Sequence, residues 1–199
     1  MNLPNKLTLL RIILVPIFVV ILLLDKAIPH SYLIAGLIFG IASYTDHLDG
    51  EIARKYNLIT DFGKFMDPLA DKIMVISALV CFIELSLIPS WCVILIIARE
   101  FMVTSIRLVA APKGIVIAAN IWGKLKTVTQ IIAIVVIMLL SYFNELSELG
   151  ISLGFLTDSE AIKIYPTVNF IFIILATVIT VISGIVYLMQ NWDAVKTAK

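Results

Sequence analysis

The sequence predicts an all-α integral membrane protein: a six-transmembrane-helix bundle with a short N-terminal interfacial segment, forming one domain over residues 1–199. Hydrophobic residues make up 61% of the chain, and its mean hydropathy is +1.06. Charged residues make up only 15%, whereas soluble domains carry about a quarter. Six apolar runs approach the roughly 20 residues that a helix needs to cross a bilayer. A soluble globular protein is excluded, because too few polar residues are present to cover its surface.

The predicted spans follow one another with short polar connections. The first is a retained membrane helix and not a signal peptide, because Arg11 and Pro16 interrupt its apolar run and no small-residue cleavage site follows. The second and third spans extend beyond their apolar parts and are joined by the hinge KYNLITDFG, whose Asn, Asp and Gly are typical of a turn. The spans are predicted at about 7–25, 31–54, 66–86, 89–111, 121–143 and 164–190.

Basic residues in the connections predict the orientation. They concentrate at both termini, in the second-to-third connection and around the fourth-to-fifth connection. Because cytoplasmic loops carry an excess of Lys and Arg, these parts are predicted to face the cytoplasm, with the protein in the cell (inner or cytoplasmic) membrane. The residues concerned are Lys6, Arg11, Arg54, Lys55, Lys64, Lys113, Lys124, Lys126, Lys196 and Lys199.

Three further features narrow the function. A net charge of +1 without a Lys/Arg run argues against a nucleic-acid partner. Cys81 and Cys92 lack metal-ligand spacing and are predicted to be buried free thiols. Gly36 and Gly40 form a GxxxG motif, which predicts close helix packing either within the bundle or across a dimer.

Four aspartates stand out near the predicted cytoplasmic face. Asp46 and Asp49 are three residues apart on the second helix, and Asp67 and Asp71 are four apart on the third, so each pair shares a helix face. A short hinge makes the two helices antiparallel neighbours, and the four carboxylates can converge. Their repulsion is relieved either by protonation or by divalent cations. Hard oxygen ligands without a nearby cysteine favour Mg²⁺ or Mn²⁺.

The neighbouring residues indicate a diphosphate site. Gly50 and Gly63 allow close approach of a substrate, and Arg54 can bind phosphate oxygens through two nitrogens. The alternatives are a structural polar cluster at the membrane surface, and a cation or proton transporter. Transport is disfavoured because the acids cluster at one face of the membrane and the chain has no internal repeat.

The spacing of these residues resembles the signature of the CDP-alcohol phosphatidyltransferases, with every fixed position filled. The resemblance implies that two divalent cations, Mg²⁺ or Mn²⁺, are held by the four aspartates and bind the diphosphate of CDP-diacylglycerol. It also implies that Asp71 is the general base. The CDP part would be bordered by Gly50, Ala53, Arg54 and Gly63, with Asn5 and Thr8 contributing from the N-terminus. The pattern is Asp46-x₂-Asp49-Gly50-x₂-Ala53-Arg54-x₈-Gly63-x₃-Asp67-x₃-Asp71.

Three other stretches, LPNKLTLLR, IAREF and GKLKTVTQ, resemble the phosphatidylglycerolphosphate synthase branch of that family. This branch implies sn-glycerol 3-phosphate as the acceptor, whereas the aspartate pattern alone leaves open serine, inositol phosphate or phosphatidylglycerol. Arg107, Lys124 and Lys126 are placed to bind the acceptor phosphate. For the two lysines the alternatives are that they only satisfy the positive-inside rule or that they contact anionic lipid headgroups. Arg99 beside Glu100 is expected to form an internal ion pair or to brace the pocket. The family resemblance, together with the GxxxG motif, also indicates a homodimer among membrane lipids.

Overall fold

A computed structural model describes the backbone of residues 3–55, 61–110 and 120–192, with side chains at 6–45, 70, 72–108 and 120–192. This part of the chain is helical and contains no β-strand. A single 3₁₀ turn, Gly154–Thr157, precedes the last helix. The α-helices are α1 (Leu3–Leu23), α2 (Ser31–Lys55), α3 (Asp61–Glu84), α4 (Ser90–Ala110), α5 (Ile121–Glu148) and α6 (Ser159–Gln190).

The all-helical prediction is confirmed, and the differences lie at the helix ends. Helix α1 begins at Leu3, so the stretch expected to be a separate interfacial segment is continuous with the first helix in its described residues. Helix α5 continues five residues past the predicted end at 143, and α6 begins five residues before the predicted start at 164. The predictions stopped where the apolar run stopped, but a helix satisfies its own backbone hydrogen bonds and continues into polar sequence.

Three helices are long and apolar enough to cross a membrane among the described residues: Lys6–Leu23, Ile121–Glu148 and Ser159–Gln190. The apolar part of α2, Ser31–Thr45, is shorter than a span. Helices α3 and α4 contain charged residues within their lengths. Large apolar side chains nevertheless remain exposed on the helices that do not meet this criterion, for example Leu37 on α2 and Ile94 on α4. Exposed apolar side chains on such helices are typical of surfaces that contact lipid or another chain.

The chain forms two compact units. The first comprises Met1–Leu87 and Ile134–Pro166, and the second comprises Ile88–Ala133 and Thr167–Lys199. In the first unit α1 packs against both α2 and α3. The rings of Phe18 and Phe39, whose centroids are 6.2 Å apart, form part of the α1–α2 contact. Cys81 and Cys92 are both buried and free, as predicted.

The GxxxG glycines of α2 have different surroundings. A Cβ atom at Gly36 would lie 3.7 Å from Cε of Met138 on α5, an ordinary van der Waals contact. No described atom lies within 4 Å of the corresponding position at Gly40. Gly36 therefore contributes to packing inside the first unit, whereas nothing described contacts a Cβ position at Gly40.

A side chain from another helix caps the N-terminus of α2. The Glu145 carboxylate on α5 accepts a 2.9 Å hydrogen bond from the Ser31 N–H and a 3.4 Å bond from the Tyr32 N–H. The first N–H groups of a helix have no partner within the helix, and the N-terminus favours negative charge. The buried Glu145 therefore anchors the helix that carries Asp46 and Asp49.

Replacing Glu145 with alanine is expected to lower the free energy of unfolding by about 1–2 kcal/mol, because two helix-terminal N–H groups lose a charged acceptor. Thermal unfolding in detergent measures the effect. The matched control is Glu148→Ala one turn further along α5, where an exposed carboxylate accepts a hydrogen bond from the Asn144 side chain. Equal losses in the two variants would contradict the capping role.

Candidate active site

The backbone places the aspartate motif on two contacting helices. Helix α2 is continuous through Lys55, so Asp46 and Asp49 lie in its last three turns. Helix α3 begins at Asp61, so Asp67 and Asp71 lie in its first three turns. The two helices contact each other within the first unit.

The side chains of this motif lie outside the described residues, and their convergence stays a prediction. The same holds for the side chains predicted to border the CDP group, except that of Thr8. The residues concerned are Asp46, Asp49, Asp67, Asp71, Asn5, Gly50, Ala53, Arg54 and Gly63.

The donor set fits a divalent cation. Carboxylate oxygens are the ligands that Mg²⁺ and Mn²⁺ prefer, and residues three or four apart on a helix share a face. Among residues with described side chains, no group of three or more His, Cys, Asp or Glu could hold a metal ion. The four aspartates therefore remain the candidate metal ligands.

Helix α1 contributes two buried polar residues one turn apart. Thr8, predicted to help bind the CDP group, is 1% exposed, and Arg11 is 2% exposed. Arg11 is used above only as a break in the apolar run and as an orientation signal. A single arginine inside an apolar segment is itself a signal for a functional or paired charge, because burying it is expensive.

A charged network occupies the second unit. The Glu100 carboxylate on α4 accepts from Lys126 Nζ on α5 and from Arg99 Nη1, the latter at 3.4 Å. Arg99 Nη2 also donates to Ser183 Oγ on α6 at 2.8 Å. All four residues are buried. The expected Arg99–Glu100 ion pair is confirmed, and Arg99 and Lys126 share the carboxylate of Glu100.

The three cations predicted to bind the acceptor phosphate differ in their surroundings. Lys126 is 9% exposed and paired with Glu100. Lys124 is exposed. Arg107 is also exposed, but its Nε donates a 3.1 Å hydrogen bond to the Tyr187 hydroxyl, and its guanidinium carbon lies 5.7 Å from the centroid of that ring. The structure thus places all three in the second unit and separates one buried, ion-paired lysine from two exposed cations.

Helix α6 supplies partners that sequence reasoning missed. Besides Ser183 and Tyr187, Thr180 accepts a 3.0 Å hydrogen bond from Gln130 Nε2 on α5. Gly184 lies so close to α4 that a Cβ atom there would be 2.9 Å from Cγ of Arg99. Small and polar residues three or four apart in an apolar helix were the available signal, because they mark a face that packs against other helices.

Adding a methyl group at Gly184 is expected to destabilise the protein by about 1–3 kcal/mol, because Cγ of Arg99 is close to the α4 backbone and must move with it. Thermal unfolding of Gly184→Ala in detergent measures this. Gly40→Ala is the matched control, since nothing described lies within 4 Å and alanine is the better helix former. The same substitution should therefore leave stability unchanged or raise it at Gly40. A stable Gly184→Ala variant would contradict the close contact with Arg99.

Comparison with known proteins identifies the family. A family model described as CDP-alcohol phosphatidyltransferase matches residues 1–182. The chain is 44% identical to the CDP-diacylglycerol–glycerol-3-phosphate 3-phosphatidyltransferase of Bacillus subtilis (strain 168), over 99% of this chain and 98% of that one. It is 43% identical to the protein of that name from Haemophilus influenzae, over 67% of this chain and 73% of that one. The Rickettsia bellii protein of the same name is 37% identical over 69% and 75%. The chain belongs to the CDP-alcohol phosphatidyltransferase family.

Proposed function

We propose that the protein transfers the phosphatidyl group of CDP-diacylglycerol to sn-glycerol 3-phosphate, forming phosphatidylglycerol phosphate and CMP. The observation that carries the proposal is the 44% identity, over nearly the whole of both chains, to the Bacillus subtilis protein named for this reaction. The aspartate pattern on α2 and α3 also supports the proposal, because its resemblance to the family signature implies a CDP-lipid donor.

The reaction is a displacement at phosphorus. The primary hydroxyl oxygen of glycerol 3-phosphate bonds to the lipid-bearing phosphorus, and the bond from that phosphorus to the bridging oxygen of the diphosphate breaks. CMP leaves with the bonding electron pair. The Asp71 carboxylate receives the hydroxyl proton, which makes the attacking oxygen a better nucleophile.

Four carboxylates at this spacing are proposed to hold two divalent cations, Mg²⁺ or Mn²⁺, and the family uses divalent cations. Bound cations of this kind would neutralise the charge of the diphosphate and of the departing CMP. Arg54 is proposed to add a fixed positive charge beside that leaving group, while Gly50 and Gly63 leave room for it. Ala53, Asn5 and the buried Thr8 are proposed to border the rest of the CDP group.

The second unit is proposed to bind the acceptor phosphate. Two buried cations, Arg99 and Lys126, share the Glu100 carboxylate in this unit, and Arg107 and Lys124 add two exposed cations to it. An anionic acceptor is favoured by this excess of positive charge, whereas serine carries no net charge to match it. Lys126 is proposed to contribute its charge from a position fixed by Glu100.

The membrane placement follows from the same proposal. Six spans, with both termini on the cytoplasmic side of the cell membrane, put the end of α2, the start of α3 and the connection between α4 and α5 at one face. That arrangement lets the diacylglycerol tails stay in the bilayer while a soluble acceptor reaches the diphosphate. The proposed assembly is a homodimer.

An acceptor panel tests the proposal. The purified protein in detergent receives CDP-diacylglycerol and Mg²⁺ with glycerol 3-phosphate, serine, inositol phosphate or phosphatidylglycerol in parallel, and CMP release is measured. Release with glycerol 3-phosphate alone, abolished by EDTA, is expected. CMP release with a different acceptor would be consistent with the family but would contradict glycerol 3-phosphate as the acceptor. No release with any acceptor from folded protein would overturn the proposed reaction.

A further inference from the structure

Tyr187 on α6 is buried, and in the described residues its hydroxyl has one hydrogen-bond partner. It is 2% exposed and packs with Val103 and Ile106 of α4 in an apolar cluster. A buried tyrosine hydroxyl needs a hydrogen-bond partner, and here Arg107 Nε supplies it at 3.1 Å. The hydroxyl thus connects an apolar core to an exposed guanidinium.

Arg107 is restrained by this tyrosine in two ways. The Nε hydrogen bond fixes the edge of the guanidinium, and the position of its central carbon 5.7 Å from the ring centroid is within the range of cation–π attraction. An exposed arginine otherwise has many rotamers, whose loss on binding a ligand costs free energy. In the part of the chain that the structure describes, Tyr187 is the hydrogen-bond partner of Arg107, so the N–H groups of Nη1 and Nη2 form the edge left for a ligand.

We propose that Tyr187 is a positioning residue for the acceptor: it holds Arg107 by Nε so that the two terminal nitrogens meet the phosphate of glycerol 3-phosphate as a pair. This inference rests on the proposed function and adds a residue to it. Paired N–H donors on a guanidinium match two phosphate oxygens, and holding them in place before binding lowers the cost of binding. Tyr187 acts through Arg107 and does not touch the reacting atoms.

Tyr187→Phe tests the inference because it removes the hydroxyl and keeps the ring in the apolar cluster. The Michaelis constant for glycerol 3-phosphate is expected to rise about fivefold, the factor that corresponds to one ordinary net hydrogen bond. Both kcat and the Michaelis constant for CDP-diacylglycerol should stay at their wild-type values. Tyr142→Phe is the matched control, since it removes another hydroxyl, bonded to His30 Nδ1 at 3.2 Å in the first unit.

A double-substitution cycle separates positioning from simple packing. Lysine at position 107 keeps the charge but has no Nε donor. Tyr187→Phe should therefore not raise the Michaelis constant for glycerol 3-phosphate any further in the Arg107→Lys background. An unchanged acceptor Michaelis constant in Tyr187→Phe, or the same rise in both backgrounds, would overturn the inference while leaving the proposed function intact. Absence of glycerol 3-phosphate-dependent CMP release from the wild-type protein would instead overturn the proposed function itself.

Discussion

Replacing Asp71 with asparagine is expected to lower kcat/KM for CMP release by about 10²- to 10⁴-fold, the range that a general base contributes. Asparagine keeps the size of the side chain but cannot accept the hydroxyl proton at neutral pH. It also removes one negative charge from the proposed cation site, but a rate lost only through weaker cation binding would recover at a higher Mg²⁺ concentration, whereas a rate lost with the base should not. The measurement is CMP release at saturating glycerol 3-phosphate, on protein whose thermal unfolding matches that of the wild type.

Asp61→Asn is the matched control for this prediction. Asp61 is the first residue of the same helix, α3, and lies outside the aspartate pattern. The same chemical change should therefore leave the rate at the wild-type level. An active Asp71→Asn protein, or equal losses in the two variants, would contradict the role proposed for Asp71.

Glu100→Gln is expected to lower the free energy of unfolding by about 3–5 kcal/mol, because it leaves two buried cations without their shared carboxylate. The substitution removes the negative charge that Arg99 and Lys126 share. Arg99 keeps its bond to Ser183, but that hydroxyl brings no compensating charge. Thermal or denaturant unfolding in detergent measures the loss.

An exposed ion pair gives the comparison for Glu100. Lys163 and Glu160 are 2.7 Å apart with side chains about seven-tenths exposed, and such pairs contribute roughly 0–1 kcal/mol. Glu160→Gln should therefore change stability little. Adding Lys126→Met to Glu100→Gln removes one of the two cations that lost the carboxylate and should recover part of the stability. A Glu100→Gln loss no larger than that of Glu160→Gln would contradict the account of a buried, shared carboxylate.

The sequence was informative where a pattern repeats along one helix. Apolar runs predicted each helix, because the length of a span is set by the bilayer and can be counted. The spacing of Asp46, Asp49, Asp67 and Asp71 predicts that α2 and α3 carry the site, because residues three or four apart share a face, and this stays a prediction. The helix ends were less predictable, since α5 and α6 continue through polar residues that a hydropathy pattern assigns to connections.

Contacts between distant helices could not be predicted. Tyr187 is 80 residues from Arg107, and Glu145 is 114 residues from the helix N-terminus that it caps. Lys126 could be recognised as a cation in a basic connection, but its burial depends on Glu100, a counter-charge on another helix. These pairings depend on which helix faces pack together, and periodicity along one helix carries no information about its neighbour.

Incorporation of the acceptor into lipid tests the central claim most directly. The purified protein receives CDP-diacylglycerol, Mg²⁺ and radiolabelled sn-glycerol 3-phosphate, and CMP release and label in the lipid extract are measured together. The proposed reaction predicts equal molar amounts of CMP and lipid-bound label, with both lost on adding EDTA. The contradicting result is that CMP is released while the label stays in the aqueous phase and phosphatidic acid is formed. Water would then be the acceptor, and phosphatidyl transfer to glycerol 3-phosphate would be wrong.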